Sequence, residues 1–183
     1  KSVAIALAQA GADIAIVDLD KEVGEQTAHE ISQLGVKTLA IQTDVTKPEA
    51  VQAMIGTVVK DFGTVDIVFN NAGICINTKA EEMTFEEWAK VIDINLTGVF
   101  LVAQAAGRVM IGQKSGSIIN TASMSGHIVN EPQPQCAYNA SKAAVIQLTK
   151  SLAAEWAPHN VRVNSISPGY IGTEMTLKAT DWI

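Results

Sequence analysis

A tyrosine and a lysine stand four residues apart, as Tyr138 and Lys142, in a stretch with a helical pattern. Residues at positions i and i+4 lie on one face of a helix, so the phenol and the ammonium group can converge on one site. A phenol titrates near pH 10, and a positive charge about 4 Å away contributes roughly 4 kcal/mol at an effective dielectric constant near 20. The pair therefore predicts a tyrosine that exchanges protons near neutrality, although a solvated surface pair has the same spacing.

Strand and helix patterns alternate along the chain and determine where these side chains can meet. Short, apolar, β-branched runs predict strands, and the helical runs that Gly11 and Gly35 close predict helices. The predicted strands are 13–18, 36–42, 65–69, 117–120 and 161–166, and the predicted helices are 1–11, 21–34, 46–61, 84–110 and 138–157. The helix at 46 begins with a predicted capping box of Thr46 and Glu49. Because hairpin signals are almost absent, residues 1–183 are predicted to form one α/β domain with a three-layer, doubly wound parallel sheet.

Ligands of such sheets bind beyond the carboxyl ends of the strands. Asp18 stands where a dinucleotide-binding fold places the acid that binds the adenosine ribose, although an Asp that merely ends a strand is the simpler interpretation. The small residues of the turn 70–73 let the backbone approach a flat ligand, although a plain turn explains them almost as well. Asn95 lies within a helical pattern although Asn is a poor helix former. Its presence is explained either by a functional role or by a position on the protein surface.

Composition narrows the class of function. The net charge is −6 and the pI is about 5.0, without the basic stripe that binding to nucleic acid or anionic membranes requires. Cys75 and Cys136 are far apart and have no partners at metal-ligand spacing, so they are predicted to be free thiols in a reducing compartment. Without a visible signal peptide, the protein is expected in the cytoplasm, with neither nucleic acid nor membrane as a partner and with no metal site.

A set of motifs in this order and spacing resembles the classical short-chain dehydrogenase/reductase family. The matching positions are Asp44, Val45, Thr46, Asn70, Asn71, Ala72, Gly73, Asn95, Ser123, Tyr138, Lys142, Pro168 and Gly169. The resemblance implies a Rossmann-like fold. The family's first strand and its glycine-rich pyrophosphate turn are absent before Lys1, so we expect the given chain to lack the first strand and to be truncated at both ends.

The resemblance implies an oxidoreductase that interconverts an alcohol and a carbonyl. Tyr138 is then the general base in the oxidative direction, Lys142 stabilises its phenolate, and Asn95 binds a water that links the lysine to solvent. A serine that hydrogen-bonds the substrate oxygen completes the set. Ser123 stands three residues before Gly126, as in relatives, whereas counting back thirteen from the tyrosine selects Ser125. We prefer Ser123, because the loop 130–135 is two residues longer than usual and lengthens that count.

The expected cofactor is a nicotinamide dinucleotide, with NAD favoured over NADP. A carboxylate at Asp18 would repel a 2′-phosphate, which Lys21 is close enough to moderate. By resemblance, Asp44 and Val45 contact the adenine end, and Ile171 and Thr173 contact the nicotinamide end. The remaining expected cofactor-binding residues are Asn71, Ala72, Gly73, Tyr138, Lys142, Pro168 and Gly169.

The expected substrate is a small alcohol or carbonyl compound, because residues 121–135 resemble the sugar-alcohol dehydrogenase and ketose reductase members of the family. Reduction of 3-oxoacyl thioesters is the alternative within the family. Two functions without catalysis are also possible on this fold. The protein could be a catalytically silent dinucleotide-sensing module or an interaction protein. Relatives form tetramers, so a homo-oligomer is also expected.

Overall fold

Strands and helices alternate through residues 1–172, the part of the chain that the computed structural model describes. The structure divides into two units, one from Lys1 to Val65 and one that begins at Asp66. The first unit contains, in chain order, α1 (Ser2–Gln9), β1 (Ile14–Asp18), α2 (Lys21–Ser32), β2 (Thr38–Gln42) and α3 (Pro48–Phe62). The prediction of alternating strands and helices is confirmed here, with boundaries that shift by a few residues at most.

In the first unit β1 and β2 lie side by side as parallel strands, with Ile14 opposite Thr38 and Asp18 opposite Gln42. The apolar face of β1 packs against α1 and α2, and Ala8, Ile14 and Ile31 form its buried core. Gly11 follows α1 with a φ of 92°, a left-handed conformation that costs glycine little and ends the helix. The carboxyl ends of both strands therefore meet at one edge of this sheet.

The predicted capping box at Thr46 is wrong. The residue that caps α3 is Lys47, which makes no side-chain cap bond. Thr46 instead donates from its backbone N–H and its hydroxyl to Asp44 Oδ1, at 2.9 and 2.7 Å. A carboxylate two residues earlier is a strong local acceptor, so Thr46 closes a turn with Asp44 before the helix instead of accepting a backbone N–H of its first turn.

The second unit contains the larger sheet. Its elements are β3 (Ile67–Asn70), α4 (Phe85–Ile92), a π-helical turn (Asp93–Gly98), α5 (Val99–Gln113), β4 (Gly116–Thr121), a 3₁₀ turn (Met124–Gly126), α6 (Cys136–Trp156), a second 3₁₀ turn (Ala157–His159) and β5 (Val161–Ile166). The strand β4 lies between β3 and β5 and is parallel to both. The prediction of an α/β fold with parallel strands is therefore confirmed.

One helical stretch, residues 85–113, differs from the uniform helix predicted there. It begins with a capping box of Thr84 and Glu87 and changes to π-helical geometry at Asp93–Gly98 before continuing as α5. Its length and composition satisfy the criteria for a membrane span, but 44% of the most apolar 18-residue window is buried inside the protein. We interpret it as the core helix of this unit, since α5 packs against β3, β4 and α6.

A chain of buried polar side chains ties the sheet to its helices. Asn70 Nδ2 donates to Asn120 Oδ1 at 2.9 Å and to the Val99 carbonyl at 3.3 Å. Asn120 Nδ2 in turn donates to Thr149 Oγ1 at 3.0 Å. Because unpaired buried amides are costly, this network fixes β3, β4, α5 and α6 in one arrangement. The first Asn of the 70–73 turn is therefore structural.

Candidate active site

Three side chains with complementary chemistry meet at the carboxyl end of β4. Tyr138 and Lys142 lie one turn apart in α6, with the lysine Nζ 5.6 Å from the centroid of the tyrosine ring. Lys142 is 3% exposed and donates to the Thr121 carbonyl at 2.6 Å. The Ser123 side chain lies close enough to the Tyr138 phenol to lower the pKa of that phenol. A hydroxyl, a phenol and an ammonium group around one point can bind an oxygen atom and move a proton to or from it.

The geometry distinguishes the two candidate serines. Ser123 lies directly after β4, in extended backbone, and its Oγ accepts from the Ser125 N–H at 3.1 Å while facing Tyr138. Ser125 Oγ points elsewhere and accepts from Asn130 Nδ2 at 2.9 Å and from Gln135 Nε2 at 3.3 Å. Ser125 therefore anchors the loop 130–135, whereas Ser123 belongs to the group around the phenol.

The expected effect of Lys142 on the tyrosine is not what the structure shows. Burial raises the pKa of Tyr138 above its usual value, and the hydrogen bond with Ser123 only partly opposes this. Burial also lowers the pKa of Lys142, to about 8. The prediction that this lysine brings the tyrosine pKa close to neutrality is therefore wrong, because both groups are desolvated and the ammonium group is directed to the Thr121 carbonyl.

Cys75 is a member of this site that the sequence did not single out. Its Sγ donates to Gln135 Oε1 at 3.4 Å and to Asn77 Oδ1 at 3.5 Å. Burial raises the pKa of its thiol to about 11, and a charge on it would act on both Tyr138 and Lys142. It is a free thiol, as predicted. The sequence could have indicated a place for Cys75 in the site, because it stands two residues after the 70–73 turn that follows the carboxyl end of β3.

Asn95 is a buried polar side chain that joins three parts of this unit. It is fully buried in the π turn, where its Oδ1 accepts from the Ile74 N–H at 2.8 Å. Its Nδ2 donates to the Ile74 carbonyl at 2.9 Å and to Ser141 Oγ at 3.1 Å. Both amide hydrogens are thus used within the protein. The side chain holds the segment after β3 in place, and the water that the resemblance places between Asn95 and the lysine stays a prediction.

The turn Asn71–Ala72–Gly73 brings bare backbone close to the site. A Cβ added at Gly73 would lie 3.3 Å from Asn95 Oδ1 and 3.5 Å from Lys142 Nζ. Asn71 and Ala72 are exposed. A side chain at position 73 would therefore press on the Asn95 amide and contact the lysine, whereas glycine leaves bare backbone that a ligand can approach.

The segment after β5 approaches the same site. The Met124 N–H donates to the Pro168 carbonyl at 3.0 Å, and a Cβ on Gly169 would lie 3.7 Å from Met124 Sδ. Ile171 is 57% exposed and can contact a ligand. Thr173, the last expected cofactor-binding residue, lies outside the described residues.

The residues expected at the adenine end belong to the first unit. Asp18 ends β1, and its Oδ1 accepts from the Asp20 N–H at 3.0 Å. Asp44 and Val45 follow β2, and hydrogen bonds from Thr46 hold the pKa of Asp44 below its usual value. Lys21, expected to moderate Asp18, instead forms an exposed ion pair with Glu25 at 3.7 Å. Asp18 and Asp44 thus stand at the same edge of their sheet.

The packing around Gly126 explains why the residue three positions after Ser123 is a glycine. A Cβ at this position would come within 2.8 Å of the Lys142 carbonyl carbon, 2.9 Å of the Ala143 nitrogen and 2.8 Å of Ile146 Cδ1. Two of these atoms are helix backbone and cannot give way. The absence of a side chain therefore lets the turn that begins at Ser123 lie directly on α6.

We predict that Gly126→Ala separates Ser123 from Tyr138 and lowers kcat at least about tenfold, because displacements of about 1 Å in a reacting group are costly. The Kd for the dinucleotide should change less. Gly112→Ala is the matched control, since a Cβ there meets nothing within 4 Å. If Gly126 acts through Ser123, the substitution should add little in a Ser123→Ala background. An equal loss in both backgrounds would contradict this reading.

Comparison with known proteins agrees with this geometry. The sequence profile of the short chain dehydrogenase family matches residues 1–183. Sorbose reductase of Candida albicans is 46% identical over 176 residues, which are 95% of this chain and 63% of the relative. NADP-dependent mannitol dehydrogenase of Alternaria alternata is 44% identical over 171 residues, which are 92% of this chain and 64% of the relative. The chain thus spans about two thirds of the length of these relatives or slightly less.

A crystal structure of NAD⁺-bound xylitol dehydrogenase superposes with a TM-score of 0.91 at 40% identity, covering 97% of this chain and 68% of that structure. The likeness extends over almost every described element. The chain belongs to the short chain dehydrogenase family, and its fold is the Rossmann-type fold of that family.

Proposed function

We propose that the protein transfers a hydride between a nicotinamide dinucleotide and an alcohol or carbonyl compound, with Tyr138 exchanging the accompanying proton. The observation that carries this proposal is the placement of Ser123, Tyr138 and Lys142 around one point at the carboxyl end of β4. A catalytically silent sensing module needs no such set of buried, mutually oriented groups.

Several features of the structure fit a dinucleotide. Asp18 uses only Oδ1 within the described residues, which leaves its other carboxylate oxygen for a ribose hydroxyl. Thr43 and Thr121 have buried hydroxyls without a partner in residues 1–172, and both lie at carboxyl ends of strands. Gly73 supplies uncovered backbone beside Lys142. Acceptors, hydroxyls and bare backbone at strand ends suit ribose and a flat nicotinamide ring.

In the proposed oxidation, the bound nicotinamide supplies the hydride acceptor, and the protein handles the proton. Ser123 donates a hydrogen bond to the substrate oxygen and keeps it next to the phenol. Tyr138 removes the hydroxyl proton, and Lys142 stabilises the phenolate as long as it carries its charge, which burial restricts to pH values below about 8. Because the pKa of Tyr138 is raised by burial, its deprotonated form is favoured only at alkaline pH. Oxidation should therefore accelerate as the pH rises above neutrality, and reduction should be favoured at lower pH.

The proposed substrates are sugar alcohols and ketoses, and the proposed cofactor is NAD. The sequence around Ser123 and the names of the sorbose, mannitol and xylitol relatives support the substrate class. Those names include one NADP-dependent enzyme and one NAD⁺-bound structure, so the cofactor proposal rests on Asp18. Activity of the full-length protein on a panel of ketoses, polyols and acetoacetyl thioesters, with NADH and NADPH compared, tests both. Turnover of the thioester alone would select the 3-oxoacyl alternative. A cytoplasmic location and a homotetramer remain predictions.

We predict that Asp18→Ser shrinks or reverses the preference for NADH. A carboxylate that receives ribose hydroxyls loses those bonds when the 2′ oxygen carries phosphate, and charged hydrogen bonds contribute about 1.5 to 3 kcal/mol each. The wild type should therefore favour NADH at least about tenfold in kcat/KM. The measurement is kcat/KM with both cofactors, and Asp61→Ser, an exposed carboxylate of the same unit, is the control. If the ratio of kcat/KM with NADH to kcat/KM with NADPH is unchanged in Asp18→Ser, the proposal of NAD as the cofactor loses its support.

A further inference from the structure

Ser141 is a buried serine of α6 that stands between Tyr138 and Lys142 in the chain, and 0% of it is exposed. Its Oγ donates to the Tyr138 carbonyl at 2.7 Å. The same oxygen accepts from Asn95 Nδ2 at 3.1 Å. One hydroxyl therefore joins the π turn at Asp93–Gly98 to the backbone of the residue that we assign as the general base.

The Asn95 amide that binds Ser141 is itself held in one orientation. Its Oδ1 accepts from the Ile74 N–H at 2.8 Å, and its Nδ2 donates to the Ile74 carbonyl at 2.9 Å. Both partners at Ile74 are backbone groups, so they fix the amide and leave one of its N–H bonds for Ser141. The segment after β3 thus determines where α6 can lie, because the Asn95 amide and the Ser141 hydroxyl connect the two.

This contact lies beside the groups that would act on a ligand. A Cβ on Gly73 would lie 3.3 Å from Asn95 Oδ1 and 3.5 Å from Lys142 Nζ, so both side chains approach the same stretch of backbone. The helix α6 packs directly on the π turn. A shift of α6 along this turn would therefore move the phenol of Tyr138 and the ammonium group of Lys142 relative to the backbone at Gly73.

The helix itself does not require a hydroxyl at position 141. Serine is a poorer helix former than alanine, and a hydroxyl that bonds back to a helix carbonyl tends to bend the helix. Thr149 of α6 has a similar pair of bonds, since it donates to the Val145 carbonyl at 2.7 Å and accepts from Asn120 Nδ2 at 3.0 Å. Thr149 stands about two turns beyond Lys142. The two hydroxyls thus differ in their distance along the helix from the reacting groups.

We propose that Ser141 is a positioning residue for proton transfer, and that its hydroxyl transmits the restraint of the Asn95 amide to the backbone of Tyr138. The inference rests on the proposed function and adds to it a residue that acts through the phenol. It also gives Asn95 a route to the reaction that does not pass through a water molecule.

The first test measures Ser141→Ala in the full-length protein with the substrate of the panel that the wild type turns over fastest. A misplacement of about 1 Å can lower a rate about a hundredfold, and the loss of one hydrogen bond should allow a smaller shift. The value of kcat should therefore fall about five- to twentyfold. The KM of the substrate should change less than about twofold, because Ser123 still binds the substrate oxygen.

Thr149→Val is the matched control for Ser141→Ala. Each substitution leaves a buried amide without its acceptor, so both should lower the unfolding temperature by about 2 to 10 °C. Thr149→Val should keep kcat within about twofold of the wild type. Equal losses of kcat in the two variants, or no loss in Ser141→Ala, would overturn the inference. A wild type that turns over no substrate of the panel would instead overturn the proposed function.

The second test asks whether Asn95 acts through Ser141. If it does, the double variant of Asn95→Ala and Ser141→Ala should lose about as much kcat as Asn95→Ala alone. Losses that multiply would show that Asn95 acts by a separate route, such as the predicted water beside the lysine, and would contradict the inference. Ser141→Cys fills the site with a weaker acceptor and should have a kcat between those of the wild type and Ser141→Ala. A kcat below that of Ser141→Ala would show that volume, not hydrogen bonding, matters at this position.

Discussion

Tyr138→Phe should lower kcat at least about a hundredfold in both directions while leaving the Kd for the dinucleotide nearly unchanged. The substitution removes one hydroxyl and keeps the ring, so packing within α6 is preserved while the transferable proton is lost. General acid–base groups contribute roughly 10²- to 10⁴-fold to rate, which sets the expected size of the effect. Steady-state kinetics of ketose reduction and polyol oxidation, together with cofactor titration, provide the measurement.

The chain contains a matched control for this substitution. Tyr170 is the other tyrosine, and it is half-exposed and hydrogen-bonded to Gln133 at 3.1 Å. Tyr170→Phe should change kcat only slightly. In the wild type the oxidation rate should rise on the alkaline side of neutrality, and residual activity of Tyr138→Phe should lose that rise. Retention of a tenth of wild-type activity by Tyr138→Phe would refute the assignment of the general base.

Ser123→Ala should lower kcat about 10²- to 10³-fold, the cost of losing a preorganised donor to a developing oxyanion. Ser125→Ala should have a much smaller effect on kcat, because the Ser125 hydroxyl binds the loop amides of Asn130 and Gln135. Its cost should fall mainly on stability, about 1 to 3 kcal/mol for two buried amides that lose an acceptor. The two variants are matched in chemistry, lie two residues apart and serve as controls for each other.

The comparison requires both activity and thermal unfolding of each variant. Both variants should unfold below the wild-type temperature, and Ser125→Ala by the larger amount, because Ser123→Ala leaves one backbone N–H without its acceptor and Ser125→Ala leaves two loop amides without theirs. The reverse order of kcat losses would show that Ser125, not Ser123, faces the substrate oxygen. In that case the contacts of Ser125 with the loop would have to break when substrate binds.

The sequence was sufficient to predict the layout of the fold, because its strong signals are local. Buried strands such as 14–18 are short and β-branched, and glycine at positions 11 and 35 takes positive φ at the ends of the first two helices, as expected. The Tyr138–Lys142 pair also followed from local spacing, since both residues lie in one regular helix. Whether Thr46 accepts a backbone N–H of α3 or donates to Asp44 depended on geometry that the sequence does not show.

The contacts of Cys75 and Asn95 could not be predicted, because they depend on residues distant in the chain. Asn95 meets Ile74 and Ser141 only after the helix that contains it packs on the sheet. The effect of burial on Tyr138 was missed for the same reason, since an argument from the distance between two charges omits the cost of desolvating them. Polar side chains inside a fold are the least predictable part of a sequence.

The π turn at Asp93–Gly98 limits which single-residue deletions the protein can tolerate. A π turn contains one residue more than the α-helical path it replaces, so deletion of one residue here would restore a regular helix. Because the wider turn absorbs the extra residue, the helices on either side would keep their register, and the residues inside the turn would change direction. Asn95 could then no longer reach Ile74 while Val99 kept its place in the core. Natural variants that lose a codon in this segment should therefore retain a folded domain without a working site, so the length of the helix is constrained by chemistry rather than by folding.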